Sequence, residues 1–147
     1  MNRRLATTAI TVAAATLAAG VVTTVPADAS PPVKIAKIKY AQVGNNLNTE
    51  YIVFKNTTGS PRKIGGWKII SAPSTDNQYK VFPATTIPAG GTVTLYTGSG
   101  SGSAGKRYWG APSPRWDNSG DKAILKNGSG TTVDTCQYAG GGTTAYC

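Results

Sequence analysis

From residue 33 onward, apolar and polar side chains alternate with period two in one short run after another, and no apolar stripe recurs at helical spacing. A period of two sends successive side chains to opposite faces of an extended chain, so each run reads as a half-buried β-strand. Val33 to Tyr40 sets Ile38 and Tyr40 against Lys37 and Lys39. In Glu50 to Asn56, Lys55 must face water, which turns Ile52 and Phe54 inward. Trp67 to Ile70 follows the turn signal Gly65-Gly66, and Tyr79 to Phe82 stops at Pro83. Thr92 to Thr97 alternates after Pro88-Ala89-Gly90-Gly91, and Lys122 to Lys126 with Thr131 to Tyr138 reads as a hairpin across Asn127-Gly128. Short strands punctuated by Gly, Pro and Asn predict an all-β chain, an antiparallel β-sandwich.

The N-terminus has a different character. Met1-Asn2-Arg3-Arg4 is basic, Leu5 through Val25 is apolar and rich in Ala, Val and Thr, and Ala27-Asp28-Ala29 supplies an A-x-A pattern before Ser30. That order is a secretory signal peptide over residues 1–29, with cleavage after Ala29 and general secretion to the cell exterior. The threonines make the run weakly apolar and no basic stop-transfer cluster follows, so it is read as cleaved and not as a membrane span. Residues 30–147 then form one domain with no transmembrane segment, expected to be a monomer.

Composition removes most catalytic classes. The 147 residues contain no histidine, which excludes Ser-His-Asp and Cys-His chemistry and His-containing zinc sites. Six acidic residues face 15 Lys+Arg, a formal charge of +9 that becomes +8 without Arg3, Arg4 and Asp28. The acids left are Glu50, Asp76, Asp117, Asp121 and Asp134. Asp117 and Asp121 are the only close pair, and they sit in a turn-like Asp-Asn-Ser-Gly-Asp stretch that lacks the further ligands of a calcium loop. No catalytic residue, metal site or cofactor is expected. Cys136 and Cys147 are the two cysteines, and export favours their oxidation to a disulfide pinning the C-terminal tail to the last strand.

Seven segments in order carry a family resemblance. Asn48 to Asn56, Ile64-Gly65-Gly66-Trp67, Ile87 to Val93, Thr97 to Gly100, Tyr108-Trp109-Gly110, Pro114 to Asp121 and Val133-Asp134-Thr135 resemble the lamin tail domain, in particular its small secreted bacterial members. The likeness spans roughly residues 33–138. It implies an immunoglobulin-like sandwich without known catalytic residues, used in nuclear lamins for protein and nucleic-acid interaction. Many bacterial members accompany a nuclease or hydrolase domain, and none is legible here.

With no catalytic set, the surface becomes the candidate site. Lys106-Arg107-Tyr108-Trp109 and Arg115-Trp116 interleave cations with aromatics beside the low-complexity loop Gly98 to Gly105. Lys106, Arg107, Trp109, Arg115 and Trp116 are therefore the expected binding residues, with the loop adapting to the ligand. The same tryptophans could instead close the ends of the sandwich, and Trp67 is expected in its core. Lys34, Lys37 and Lys39 form a second basic group, which also fits the guarding of a strand edge. Asn56-Thr57-Thr58 and Asn127-Gly128-Ser129 match the glycosylation sequon. The expected function is a secreted, non-catalytic binding or adhesion module for anionic envelope polymers, nucleic acid or a partner protein. A carbohydrate-binding module is the alternative, and a small secreted hydrolase a weaker one.

Overall fold

The computed structural model describes residues 30–72 and 77–147. The expected leader at 1–29 lies outside the described residues. Eleven strands alternate with turns: β1 (Val33–Lys39), β2 (Tyr51–Asn56), β3 (Arg62–Lys63), β4 (Lys68–Ser71), β5 (Gln78–Val81), β6 (Thr86–Ile87), β7 (Thr92–Tyr96), β8 (Lys106–Tyr108), β9 (Asp121–Lys126), β10 (Thr132–Tyr138) and β11 (Thr144–Tyr146). A five-stranded sheet runs β11-β1-β2-β7-β8, a four-stranded sheet runs β10-β9-β4-β5, and β3 pairs with β6. The pairings are antiparallel except β7 with β8, which is parallel. Among the described residues, no helix is long and apolar enough to cross a membrane.

The alternation read from the sequence sets the packing. Ile52 and Phe54 on β2 face Ile69 on β4 and Leu125 on β9, all fully buried, while Lys55 is exposed. Phe54 meets Phe82 edge to face at 5.2 Å. Strand β1 slips phase once. A bulge between Ile35 and Lys37 adds a residue, so Val33, Ile35 and Ile38 all point inward. The bulged Ala36 turns its carbonyl to the amide of Cys147. One residue earlier, Ile35 N–H donates to Asp134 Oδ2 on β10 at 2.7 Å, tying the two sheets together at that seam.

Two expectations are corrected. The β9–β10 turn is not a two-residue hairpin on Asn127-Gly128. Asn127 N–H donates to Thr131 O, Asn127 Oδ1 accepts from the amides of Ser129 and Thr131, and the positive φ (86°) falls on Gly130. Trp67 does not lie between the sheets; it is half-buried against the edge of the core, and the fully buried indole is Trp116. Asn56, the first sequon asparagine, is also buried. Its amide donates to the carbonyls of Ser60, Ile87 and Pro88, which occupies the nitrogen a glycan would need.

The disulfide expectation holds. Cys136 bonds Cys147 with Cα atoms 5.8 Å apart. Because β10 belongs to one sheet and β11 extends the other, this bond links the sheets and does more than close the tail. Mass analysis without reductant should therefore show no free thiol, and Cys136→Ser with Cys147→Ser should lower stability by about 2–3 kcal/mol. Trp116→Ala should cost about 3–5 kcal/mol, clearly more than Trp67→Ala, with denaturant midpoints giving the comparison.

Candidate functional site

Glu50 follows a 3₁₀ turn at Leu47–Thr49 and immediately precedes β2, which sets its buried side chain under one end of the sandwich. Its Oε1 accepts from Thr97 Oγ at 2.7 Å, Arg115 N–H at 2.7 Å and Trp116 N–H at 3.3 Å. One carboxylate oxygen thus joins the start of β2, the end of β7 and the loop bearing Trp116. Oε2 is buried and has no partner among the described residues. Burial raises the Glu50 pKa above its ordinary value of 4.5, against the lowering effect of the Arg115, Thr97 and Trp116 hydrogen bonds.

Asp121 works from the other side of the same loop. Its oxygens accept from Ala72 N–H, Lys122 N–H and Asp117 N–H. Ser71 Oγ sits 2.6 Å from Arg115 O and 2.8 Å from Asp121 Oδ2. Asp117 is exposed and accepts from the Ser119 amide, an Asx-turn bond that lowers its pKa. Tyr138, stacked on Tyr40 at 4.3 Å, donates its hydroxyl to Asp117 O; burial first, then the nearby Asp121, Glu50 and Asp117 charges, push its pKa up. The open concavities nearby are lined by Asp121, Lys122 and Tyr138, and by Ser71, Arg115, Trp116 and Asp117. The acids lining them are held in backbone hydrogen bonds. This constellation builds a loop.

The residues expected to bind ligand are scattered by the fold. Lys106 is exposed on the outer face of the five-stranded sheet, paired with Thr94. Arg107 points the other way, and its guanidinium donates to Thr85 Oγ and to the carbonyls of Ser103, Lys106 and Ala84. Arg115 is half-buried, with its backbone amide on Glu50 and its Nη1 on Ser113 Oγ. Trp109 is half-buried and meets Trp116 edge-on at 6.1 Å. Trp116, at 2 % exposure, offers no face for stacking, which corrects its place among the binding residues. The Gly98 to Gly105 loop is packed at its start, where Gly98 is buried, while residues 99–105 are exposed. A Cβ on Gly98 would lie 2.6 Å from Asn48 Oδ1, Asn48 Nδ2 donates to Ser99 O, and Gly100 lies flat against the Tyr108 ring.

That last contact ends a column of rings the sequence reading missed. Tyr51, Tyr96 and Tyr108 stand opposite one another on β2, β7 and β8. Tyr51 tilts against Tyr96 at 5.7 Å, and Tyr96 stacks on Tyr108 at 5.4 Å. Lys37 Nζ covers Tyr51 at 5.1 Å from the ring centre, and Gly100 covers Tyr108. The outward parity of Tyr51 and Tyr96 was legible from their buried neighbours. The parallel pairing that brings in Tyr108 was not. On the same face Lys34 stands directly opposite Lys55, and Lys39 opposite Tyr51.

Two sheets packed face to face, short edge strands, and carboxylates that hold loops in place define an immunoglobulin-like β-sandwich. The sequence profile described as Lamin Tail Domain matches residues 26–140, and the chain belongs to that family. It is a family of sandwich domains not known for catalysis. No curated protein matches the chain.

Glu50 yields a signed prediction. A raised folded-state pKa means the folded protein holds this proton more tightly, so stability is full below the unfolded value of 4.5 and falls as pH rises through the folded one. Glu50→Gln keeps the accepting oxygen without the charge, so it should flatten that fall in melting temperature. Glu50→Ala strands the donors of Thr97, Arg115 and Trp116 and should cost about 2–4 kcal/mol.

Proposed function

We propose that this chain is an exported, non-catalytic binding module whose cationic surface takes up anionic polymers. The supporting observation is how the fold sorts its charges. Glu50 and Asp121 are buried, and Asp134 is held by the Ile35 amide, so of the described acids only Asp117 is exposed. The cations remain at the surface: Lys55, Arg62, Lys63, Lys106 and Lys122 are exposed, and both outer sheet faces carry lysines. The formal charge of +8 on residues 30–147, 13 Lys+Arg less 5 Asp+Glu, is thus presented largely by surface cations to an approaching ligand.

Such a field attracts polyanions at long range and weakens as salt screens it. The protein should bind duplex DNA and an anionic polysaccharide at low ionic strength. Affinity for DNA should fall by about tenfold or more between 50 and 200 mM salt, without sequence preference, in a fluorescence titration. Absence of binding to either polymer at low salt would defeat this reading and favour a protein partner.

A further inference from the structure

We propose that the outer face of the five-stranded sheet is the binding surface, and that its ligand is a carboxylated polysaccharide. This rests on the polyanion reading above and assigns it a place and a chemistry. The placement comes from an unfavourable pairing. Lys34 and Lys55 are directly opposite on β1 and β2, where like charges destabilise a sheet. Lys37 and Lys106 lie in the adjoining row, on either side of Val53 and Thr94. No acidic residue stands on this face at any paired position of β1, β2, β7, β8 or β11. An anion laid over the Lys34–Lys55 pair relieves the repulsion that the free protein carries.

The choice of ligand comes from the tyrosines. A single-stranded nucleic acid binds such a sheet by stacking bases on open ring faces. Here the rings are engaged with one another, Lys37 lying over Tyr51, Tyr51 tilted on Tyr96, Tyr96 stacked on Tyr108 and Gly100 against the Tyr108 ring, which leaves little open platform for bases. The three rings are half-buried on this face, and their hydroxyls bond no group among the described residues. Phenol hydroxyls exchange hydrogen bonds with sugar hydroxyls, and lysine ammonium groups meet carboxylates. A uronic-acid chain carries both partners at every repeat. Inorganic polyphosphate has charge and acceptor oxygens but no hydroxyl to donate in return, and an oligonucleotide has charge together with bases that find little platform.

The test uses polygalacturonate, its highly methyl-esterified form, polyphosphate and a dT oligonucleotide as probes at low salt. Lys34→Gln, Lys55→Gln and Lys106→Gln combined should weaken polygalacturonate binding by about tenfold or more, against a small loss when Lys68, Lys122 and Lys126 on the opposite sheet are changed alike. Tyr51→Phe, Tyr96→Phe and Tyr108→Phe combined keep the rings in place. They should weaken polygalacturonate binding severalfold more than polyphosphate binding, because only the sugar both accepts from and donates to the phenols. The esterified polymer should not bind. Lys55→Gln alone should raise the melting temperature of the free protein while lowering affinity, which separates lost binding from lost fold. Failure of every polyanion to bind would overturn both this proposal and the broader one. Equal losses from the two lysine sets would overturn only the placement. An oligonucleotide preferred over polygalacturonate, or a Phe variant that binds both polymers normally, would overturn the choice of glycan.

Discussion

The carboxylate of Glu50 organises one end of this sandwich. It accepts from Thr97 beyond β7 and from two consecutive amides, Arg115 and Trp116, in a loop that makes no strand of its own there. Loops are hard to bury because their amides have no ladder to join. A fully buried carboxylate oxygen supplies the missing acceptor, and the amides in turn make burial of the acid tolerable. Asp121 and Ser71 hold the following turn and the Arg115 carbonyl. Between these two acids the Trp116 indole is brought into the core. Remove the clamps and the largest buried side chain loses its anchor.

The same arrangement has a consequence at the surface. Acids used as internal fasteners are withdrawn from the surface, so the architecture itself produces an exterior dominated by cations, with Asp117 the one exposed acid among the described residues. Self-repulsion follows, most sharply where lysines face each other across β1 and β2 and, on the other sheet, at Lys68 and Lys126. The chain offsets this with links between the sheets. The Cys136–Cys147 bond joins β10 to the tail beyond β11 and Asp134 closes the seam on Ile35, while within the five-stranded sheet the bulged Ala36 holds the same tail through the Cys147 amide. Lys37 and Lys68 further reduce their exposure by lying over tyrosine rings.

Much of this was legible in the residues, and the rest was hidden for identifiable reasons. The long strands announced themselves because each keeps one buried face, as Ile52 and Phe54 against Lys55 show. Strands β3, β6, β8 and β11 have two or three residues each, too few for a period to register, and partners distant in sequence define them. The exchange of roles between Trp67 and Trp116 was unreadable because neither local context differs enough. Burial of Trp116 is decided by Glu50, 66 positions away. Composition misled at the start of the Gly98 to Gly105 loop. Glycine and serine there suggested freedom, whereas Gly98 and Gly100 are small because Asn48 and Tyr108 press against them.

That correction moves the proposed binding surface from a loop to a sheet. An adaptable loop would have to be ordered on binding, losing conformational entropy as it closed on its ligand. Side chains on β2 and β7 are already positioned by the ladder beneath them, and the ring column restrains Lys37, Tyr51, Tyr96 and Tyr108 against one another. A rigid row of hydroxyls flanked by lysines suits a ligand that is itself extended and repetitive, because each repeat meets the same spacing of strands. Contacts of this kind are individually weak, and they gain strength by recurring along the polymer. The fold therefore offers the proposed ligand a fixed face, with lysines and no acid at its paired positions, whose cohesion is maintained from inside.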